Sequence, residues 1–136
     1  MKKSKNKVRR FINYLYSVYD VPRIPIHVHW YYPALVTEEC KFCFGVLFYG
    51  ENYPTEIHVA GKAIKTKGVL STISHEFVHY LQYLNGRDMD DTEQIERDAE
   101  MYGEALLLDW LYGYPKEYKL KAWKAWDHEP QKGVPE

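Results

Sequence analysis

The sequence has few cysteines, little net charge and no long hydrophobic run, and each shortage excludes a class of protein. Two cysteines in 136 residues are too few for a secreted scaffold built on disulfides. A formal net charge of -1 provides no global field that attracts nucleic acid. No stretch approaches the ~20 apolar residues of a membrane span, and no apolar run follows the basic start as in a secretory signal. We therefore expect a cytoplasmic protein without a membrane partner.

Apolar and aromatic side chains are abundant. Hydrophobic residues make up 46% and aromatic residues 16% of the chain, enough to build a buried core. We expect a single domain, 1–136, with a loose basic arm at 1–6 and a loose tail at 127–136. The alternative for the arm is contact with nucleic acid or an acidic partner. No aromatic or glycine residues are interleaved with its first basic residues to support this, so we expect no nucleic-acid partner.

The hydrophobic periodicity changes from strand-like to helix-like along the chain. After an amphipathic helix over about 7–19, three strands separated by short turns are expected at 24–32, 42–49 and 55–60. They predict a small, largely antiparallel sheet. Further helical segments are expected over about 67–84, 92–112 and 115–126. This order predicts an α+β fold, with a strongly twisted sheet and helices mostly on one side of it.

Capping signals mark the ends of the two long helices. Gly86 is the stop signal of the first helix, and Gly113 is that of the second. Asp91 is a candidate N-cap for the second helix, and Gln94 three residues later completes the pattern of a capping box.

Residues 75–79 of the first long helix read His-Glu-Phe-Val-His, and this spacing predicts a catalytic zinc site. Two histidines four residues apart project from one face of a helix, so both can reach one metal ion. Zinc accepts imidazole nitrogen, and a catalytic site keeps one coordination position for water. Glu76 is placed to act as general base toward that water. We expect one Zn²⁺ per chain, bound by His75 and His79.

Three glutamates of the second long helix are candidates for the third zinc ligand: Glu93, Glu96 and Glu100. They border an apolar stripe, where a carboxylate is costly unless it is paired or bound to metal. We favour Glu96 as the ligand, with Glu100 and Glu93 as alternatives. Glu100 is also the candidate to receive the second ring N–H of a ligand histidine. Gly103 on the same helix would let another backbone approach closely.

With these residues, the sequence resembles the ImmA/IrrE family of gluzincin-type metallopeptidases. The likeness covers about 55–112 and rests on the histidine motif and on Glu-Arg-Asp-Ala-Glu-Met-Tyr-Gly-Glu-Ala-Leu-Leu at 96–107. It implies a minimal zincin-like fold with an N-terminal helix, a small sheet and two active-site helices. It also implies Glu96 as ligand and Glu76 as base. The implied substrate is a protein of bacteria or their mobile elements, often a transcriptional repressor. The family's usual proline after the Leu-Leu pair is missing here.

The strand at 55–60 immediately precedes the motif helix. In zinc peptidases of this build, an edge strand in that place pairs with the extended substrate. His58, Tyr80 and Tyr102 are candidates to donate a hydrogen bond to the developing oxyanion.

Cys40 and Cys43 have the spacing of a metal knuckle, but a structural site would need a second ligand pair. The spacing to His27, His29 and His58 does not fit such a site, so we expect two free thiols. His27 and His29 alternate on a strand, and we expect them to be exposed or hydrogen-bonded residues of the sheet.

These features predict a metalloendopeptidase that hydrolyses peptide bonds with a metal-activated water and Glu76 as general base. The alternative is a non-catalytic protein- or nucleic-acid-binding module that keeps a structural or vestigial metal site. An intact Glu76 favours the enzyme, because a structural metal site has no need of a base.

Overall fold

The computed structural model describes residues 2–37, 42–51, 53–62 and 66–113. This part of the chain contains three helices and one three-stranded sheet, which confirms the predicted α+β class. The elements in chain order are α1 (Lys2–Val18), β1 (Ile26–His29), β2 (Gly45–Tyr49), β3 (Pro54–Ala60), α2 (Thr66–Leu84) and α3 (Thr92–Tyr112). The predicted segment 115–126 and the tail 127–136 lie outside the described residues.

Two compact units make up the chain, Met1–Ile73 and Ser74–Glu136, and the boundary between them lies inside α2. The first unit contains α1, the sheet and the beginning of α2. The second contains the rest of α2 and α3. A single-domain organisation stays a prediction. Within the described ranges, no helix combines the length and the hydropathy needed to cross a membrane.

Helix α1 begins earlier than the sequence pattern predicts. It includes residues 2–6, which the sequence pattern placed before the helix; whether this basic segment is loose stays a prediction. Lysine and arginine are good helix formers, and no proline or glycine separates them from the amphipathic segment that follows. Val8, Phe11 and Leu15 form the buried face of this helix.

The sheet is mixed, which corrects the prediction of a largely antiparallel sheet. Its strand order is β1-β3-β2, with β1 parallel and β2 antiparallel to β3. Because β3 is the central strand, the prediction that it is an edge strand open to a substrate is wrong. Ile57 and Val59 of this strand have no exposed surface, as expected for a strand with neighbours on both sides.

The two faces of the sheet differ in polarity. The parallel register pairs His27 with His58 and Val28 with Val59, so alternate side chains point to opposite faces. The face that holds Val28 and Val59 is apolar. The other, which we call the polar face, carries His27, His29, Glu56 and His58. The predicted alternation of apolar residues and histidines along β1 is confirmed.

The ends of the long helices follow the capping predictions in part. Gly86 and Gly113 have left-handed φ angles of 73° and 67°, so both predicted stop signals are confirmed. Asp91 occupies the N-cap position of α3 but makes no side-chain capping hydrogen bond. Gln94 donates instead to Oδ1 of Asp98, 2.8 Å away. The predicted capping box is therefore wrong.

Cys43 is in a disulfide, so the prediction of two free thiols is wrong. Its backbone forms an isolated antiparallel bridge with Leu35, in which the two residues exchange N–H···O bonds of 2.8 and 3.1 Å. Cys40 lies outside the described residues.

Candidate metal centre

The predicted metal ligands converge within the second unit. His75 and His79 lie one turn apart on α2, and Glu96 lies near the start of α3. The Nε2 atoms of the two histidines are 3.1 Å apart. Oε2 of Glu96 is 2.9 Å from Nε2 of His75, and Oε1 is 3.0 Å from Nε2 of His79. Each side chain thus contacts the other two through atoms that can bind a metal.

The spacing of these atoms fits a zinc ion. A tetrahedral ion with ligands at ~2.0–2.1 Å holds the ligand atoms about 3.3 Å from one another. The observed separations of 2.9 to 3.1 Å need only a slight expansion to reach this value. Two imidazoles and one carboxylate are also a ligand set that zinc uses in catalytic sites, with a fourth position left for water.

Gln82 determines which ring nitrogen of His79 carries the hydrogen. Nε2 of Gln82 donates to the carbonyl of Ile95 at 3.0 Å, so its Oε1 faces the histidine. Nδ1 of His79 donates to this oxygen at 2.8 Å. In the neutral ring, Nε2 therefore carries a lone pair directed toward His75 and Glu96. A ligand histidine that gives its other N–H to a neighbouring acceptor has this arrangement.

Burial keeps His79 in the form that binds metal. The residue is 7% exposed, and this burial is the main reason that the pKa of His79 lies below its usual value. A lowered pKa favours the neutral imidazole, which is the metal-binding form. His75 and Glu96 are more open, with side chains 26% and 54% exposed, so solvent reaches the centre from their side.

Glu76 follows the first ligand histidine and is 8% exposed. Burial, and to a lesser degree the negative charge of Glu96, raises the pKa of Glu76 to about 8. A group that exchanges its proton near neutral pH is suited to general acid–base chemistry. A cation held by the ligand side chains would favour its ionised form, which is the form that accepts a proton.

A close helix contact brings Glu96 to the histidines. A Cβ on Gly103 of α3 would lie 3.1 Å from the backbone nitrogen of His75 and 3.2 Å from its Cα. The neighbouring Ser74 donates its hydroxyl proton to the carbonyl of Gly103 at 2.7 Å. The prediction that Gly103 permits a close backbone approach is confirmed.

A buried ion pair holds α3 to the segment that follows α2. Nη2 of Arg87 lies 2.8 Å from Oδ2 of Asp98, and the two side chains are 8% and 12% exposed. The second carboxylate oxygen of Asp98 accepts a hydrogen bond from Gln94. Because Asp98 is two residues from Glu96, this pair helps to fix the part of α3 that carries the proposed ligand.

The two alternative glutamates lie outside this convergence. Glu93 is exposed and pairs with Arg97 at 2.9 Å. Glu100 is also exposed. The group of the second unit whose ligand atoms lie within 4.8 Å of one another consists of His75, His79 and Glu96. The second ring N–H of His79 goes to Gln82 and not to Glu100, and a contact of Glu100 with His75 stays a prediction.

Of the three candidate oxyanion donors, two belong to the second unit and one to the first. Tyr80 is 3% exposed within the second unit. Tyr102 is half-buried on α3, and burial, followed by the charge of Asp98, raises its pKa. His58 belongs to the first unit, where both of its ring nitrogens bond to other side chains of the sheet. A role in oxyanion stabilisation stays a prediction for all three.

Two polar residues of α2, Ser74 and Gln82, were not predicted to contribute to the site. Both have no exposed surface. A buried polar side chain requires a hydrogen-bond partner. Gln82 is three residues after His79, so the two share a helix face. That spacing was the available signal for its contact with the histidine.

Comparisons of the chain with protein-family profiles, with curated proteins and with solved structures found no match. The likeness to the ImmA/IrrE family therefore stays a prediction.

Proposed function

We propose that the chain is a zinc-dependent peptidase, with His75, His79 and Glu96 as ligands and Glu76 as general base. The observation that carries the proposal is the mutual contact of the three ligand side chains at 2.9 to 3.1 Å. The buried carboxyl beside them supplies the second component that amide hydrolysis requires. The substrate class is a peptide or a protein.

Each residue has a defined task in this chemistry. A zinc ion, when bound, supplies Lewis-acid activation of the scissile carbonyl and of the attacking water. Glu76 takes a proton from that water and passes it to the leaving amine. Gln82 holds the ring of His79 in the tautomer that presents Nε2. Glu96 balances the positive charge and comes from a different helix, so the two helices together build the centre.

The number of ligands favours an enzyme over a structural metal site. Structural zinc sites are closed by four protein ligands, whereas catalytic sites have three and admit water. Within the described residues, the group around His75 contains three ligand side chains. The side chain of Glu96 is 54% exposed, which leaves access for water and substrate.

A helical histidine motif joined by a glutamate from the following helix is the pattern of a gluzincin. We therefore include in the proposal an ImmA/IrrE-like activity, a minimal zincin-like fold and a cytoplasmic protein substrate. The contacts of Glu96 with both histidines support the gluzincin pattern.

The proposal is tested by incubating the zinc-loaded full chain with a mixed peptide library, with and without a chelator. We expect cleavage that the chelator abolishes. Glu76→Gln should retain zinc but cleave about 10²–10⁴-fold more slowly. The matched control is Glu104→Gln, which changes an exposed carboxylate of α3 outside the ligand group. Absence of cleavage by the zinc-loaded parent, or equal rates for the parent and Glu76→Gln, would refute the proposal.

A further inference from the structure

The polar face of the sheet carries three histidines and one glutamate, and none of them is a zinc ligand or the general base of the proposed peptidase. His27 and His29 come from β1, whereas Glu56 and His58 come from β3. The parallel register sets His27 directly beside His58. Glu56, two residues before His58 on the same strand, shares this face.

Ligand atoms of three of these residues lie close together. Oε1 of Glu56 is 2.7 Å from Nε2 of His58, and Oε2 is 3.8 Å from Nε2 of His27. The rings of His27 and His58 have centroids 4.7 Å apart. The three side chains form a group whose ligand atoms all lie within 4.8 Å of one another. Zinc ligands are about 3.3 Å apart, so small side-chain rotations bring these atoms to coordination distance.

The side chains that must move are partly exposed. His27 and Glu56 are 48% and 40% exposed, whereas His58 is 21% exposed and more firmly held. The ring of Phe48 packs edge-on against His58, with centroids 4.9 Å apart. The more buried histidine therefore supplies a fixed ligand, and the two exposed side chains can close around a cation.

His29 completes the arrangement because it can accept a hydrogen bond from His58. Nε2 of His29 lies 2.8 Å from Nδ1 of His58. When Nδ1 of His58 donates to His29, the Nε2 of His58 carries a lone pair toward Glu56. This is the state of a ligand histidine whose second ring nitrogen is hydrogen-bonded to a neighbour. A cation at the site would then take the place of the direct contact between Nε2 of His58 and Oε1 of Glu56.

We propose that His27, Glu56 and His58 form a second metal site, which takes a late first-row divalent cation such as Zn²⁺. Two imidazoles and one carboxylate suit zinc, copper and nickel, whereas magnesium and calcium prefer oxygen ligands alone. The exposed side chains of His27 and Glu56 leave water access to the cation. The bound ion joins β1 to β3.

The test uses full-length protein in which His75→Ala and His79→Ala remove the centre of the second unit. Titration with Zn²⁺ in a calorimeter should show about one remaining equivalent. Adding Glu56→Gln or His27→Ala should weaken this binding at least about tenfold. Glu51→Gln is the matched control, since Glu51 is exposed and outside the cluster.

A double variant that binds no zinc while keeping its helical circular dichroism would overturn the second site. Unchanged affinity after Glu56→Gln would overturn it as well. Should the double variant not fold, nitrogen-15 spectra of the parent protein test the second site instead. The ring resonances of His27 and His58 must then shift on zinc binding. If these resonances do not shift at zinc saturation, the proposed second site is contradicted. Neither result bears on the peptidase proposal, which rests on other residues.

Discussion

Gln82 accepts a hydrogen bond from Nδ1 of His79 across 2.8 Å, and its own amide donates to the backbone of α3 at Ile95. One fully buried side chain therefore fixes the ring of a proposed zinc ligand and links the two helices that supply the ligands. Because the amide is shielded from solvent, water cannot replace either bond after substitution without entering the core.

We expect Gln82→Leu to weaken zinc binding by about 10–100-fold, because His79 loses the partner that sets its tautomer. The carbonyl of Ile95 also loses its donor, so the free energy of unfolding of the metal-free protein should fall by about 1–3 kcal/mol. Competition with a chromogenic chelator measures the zinc Kd, and urea unfolding measures stability.

The control for this substitution is Gln94→Leu. Gln94 donates to Asp98 and contacts no proposed ligand, so its loss should change the zinc Kd little. Equal losses of zinc affinity in the two variants would mean that the bond to His79 has no special role.

Gly103→Ala should lower both stability and zinc affinity, although alanine favours a helix by about 1 kcal/mol over glycine. The added Cβ would meet the backbone of His75 at 3.1 Å and that of Ser74 at 3.3 Å, and backbone cannot rotate away. We expect a net loss of about 1–3 kcal/mol from overpacking, with Glu96 displaced from the histidines.

Thermal unfolding with and without zinc measures both effects of Gly103→Ala. Met101→Ala serves as control, since Met101 is 54% exposed on the same helix. A Gly103→Ala protein with higher stability and unchanged zinc affinity would show that the helices tolerate the extra methyl group.

Asp98→Ala should destabilise the protein by about 3–5 kcal/mol, because it leaves the charge of Arg87 buried without its partner. Glu93→Ala breaks the exposed pair with Arg97 and should cost only about 0.3–0.5 kcal/mol. Urea unfolding compares the two free energies directly. Similar small losses would contradict a structural role for the buried pair.

The stability of the metal-free protein should fall as pH rises. Burial and the charge of Glu96 raise the pKa of Glu76 from 4.5 to about 8, so the folded state holds a proton that the unfolded state has released. The stabilisation is complete below the unfolded pKa and is lost as pH rises through the folded pKa. Urea unfolding of parent and Glu76→Gln should therefore diverge in this interval. Parallel pH profiles would contradict the raised pKa.

The histidine motif could be predicted more fully than the sheet, because its residues are local in sequence. His75, Glu76 and His79 occupy little more than one turn, so helical geometry alone sets their relation. The position of Glu96 depends on how α3 packs against α2, and Gly103 was the available sign of that packing. The choice among three glutamates therefore could not be made from spacing alone.

The strand order was not predictable because it depends on long-range pairing. Short turns predict that neighbouring strands pair in sequence, yet β3 lies between β1 and β2. In the structure, Ile57, Val59 and Ala60 of this central strand are buried, whereas Thr55, Glu56 and His58 are only partly so. The histidines of the polar face were assigned correctly to a strand, but their approach to Glu56 depends on the parallel register.

The most direct test of the proposed zinc centre compares Glu96→Ala with Glu100→Ala, two changes one turn apart on α3. Both are made in a His27→Ala background, so that the cluster on the sheet does not contribute, and zinc affinity is measured by chelator competition. We expect Glu96→Ala to lower zinc affinity at least about tenfold, because it removes a ligand. The zinc affinity of Glu100→Ala should equal that of the His27→Ala background. Equal binding by the two variants, or a larger loss for Glu100→Ala, would contradict the centre built from His75, His79 and Glu96.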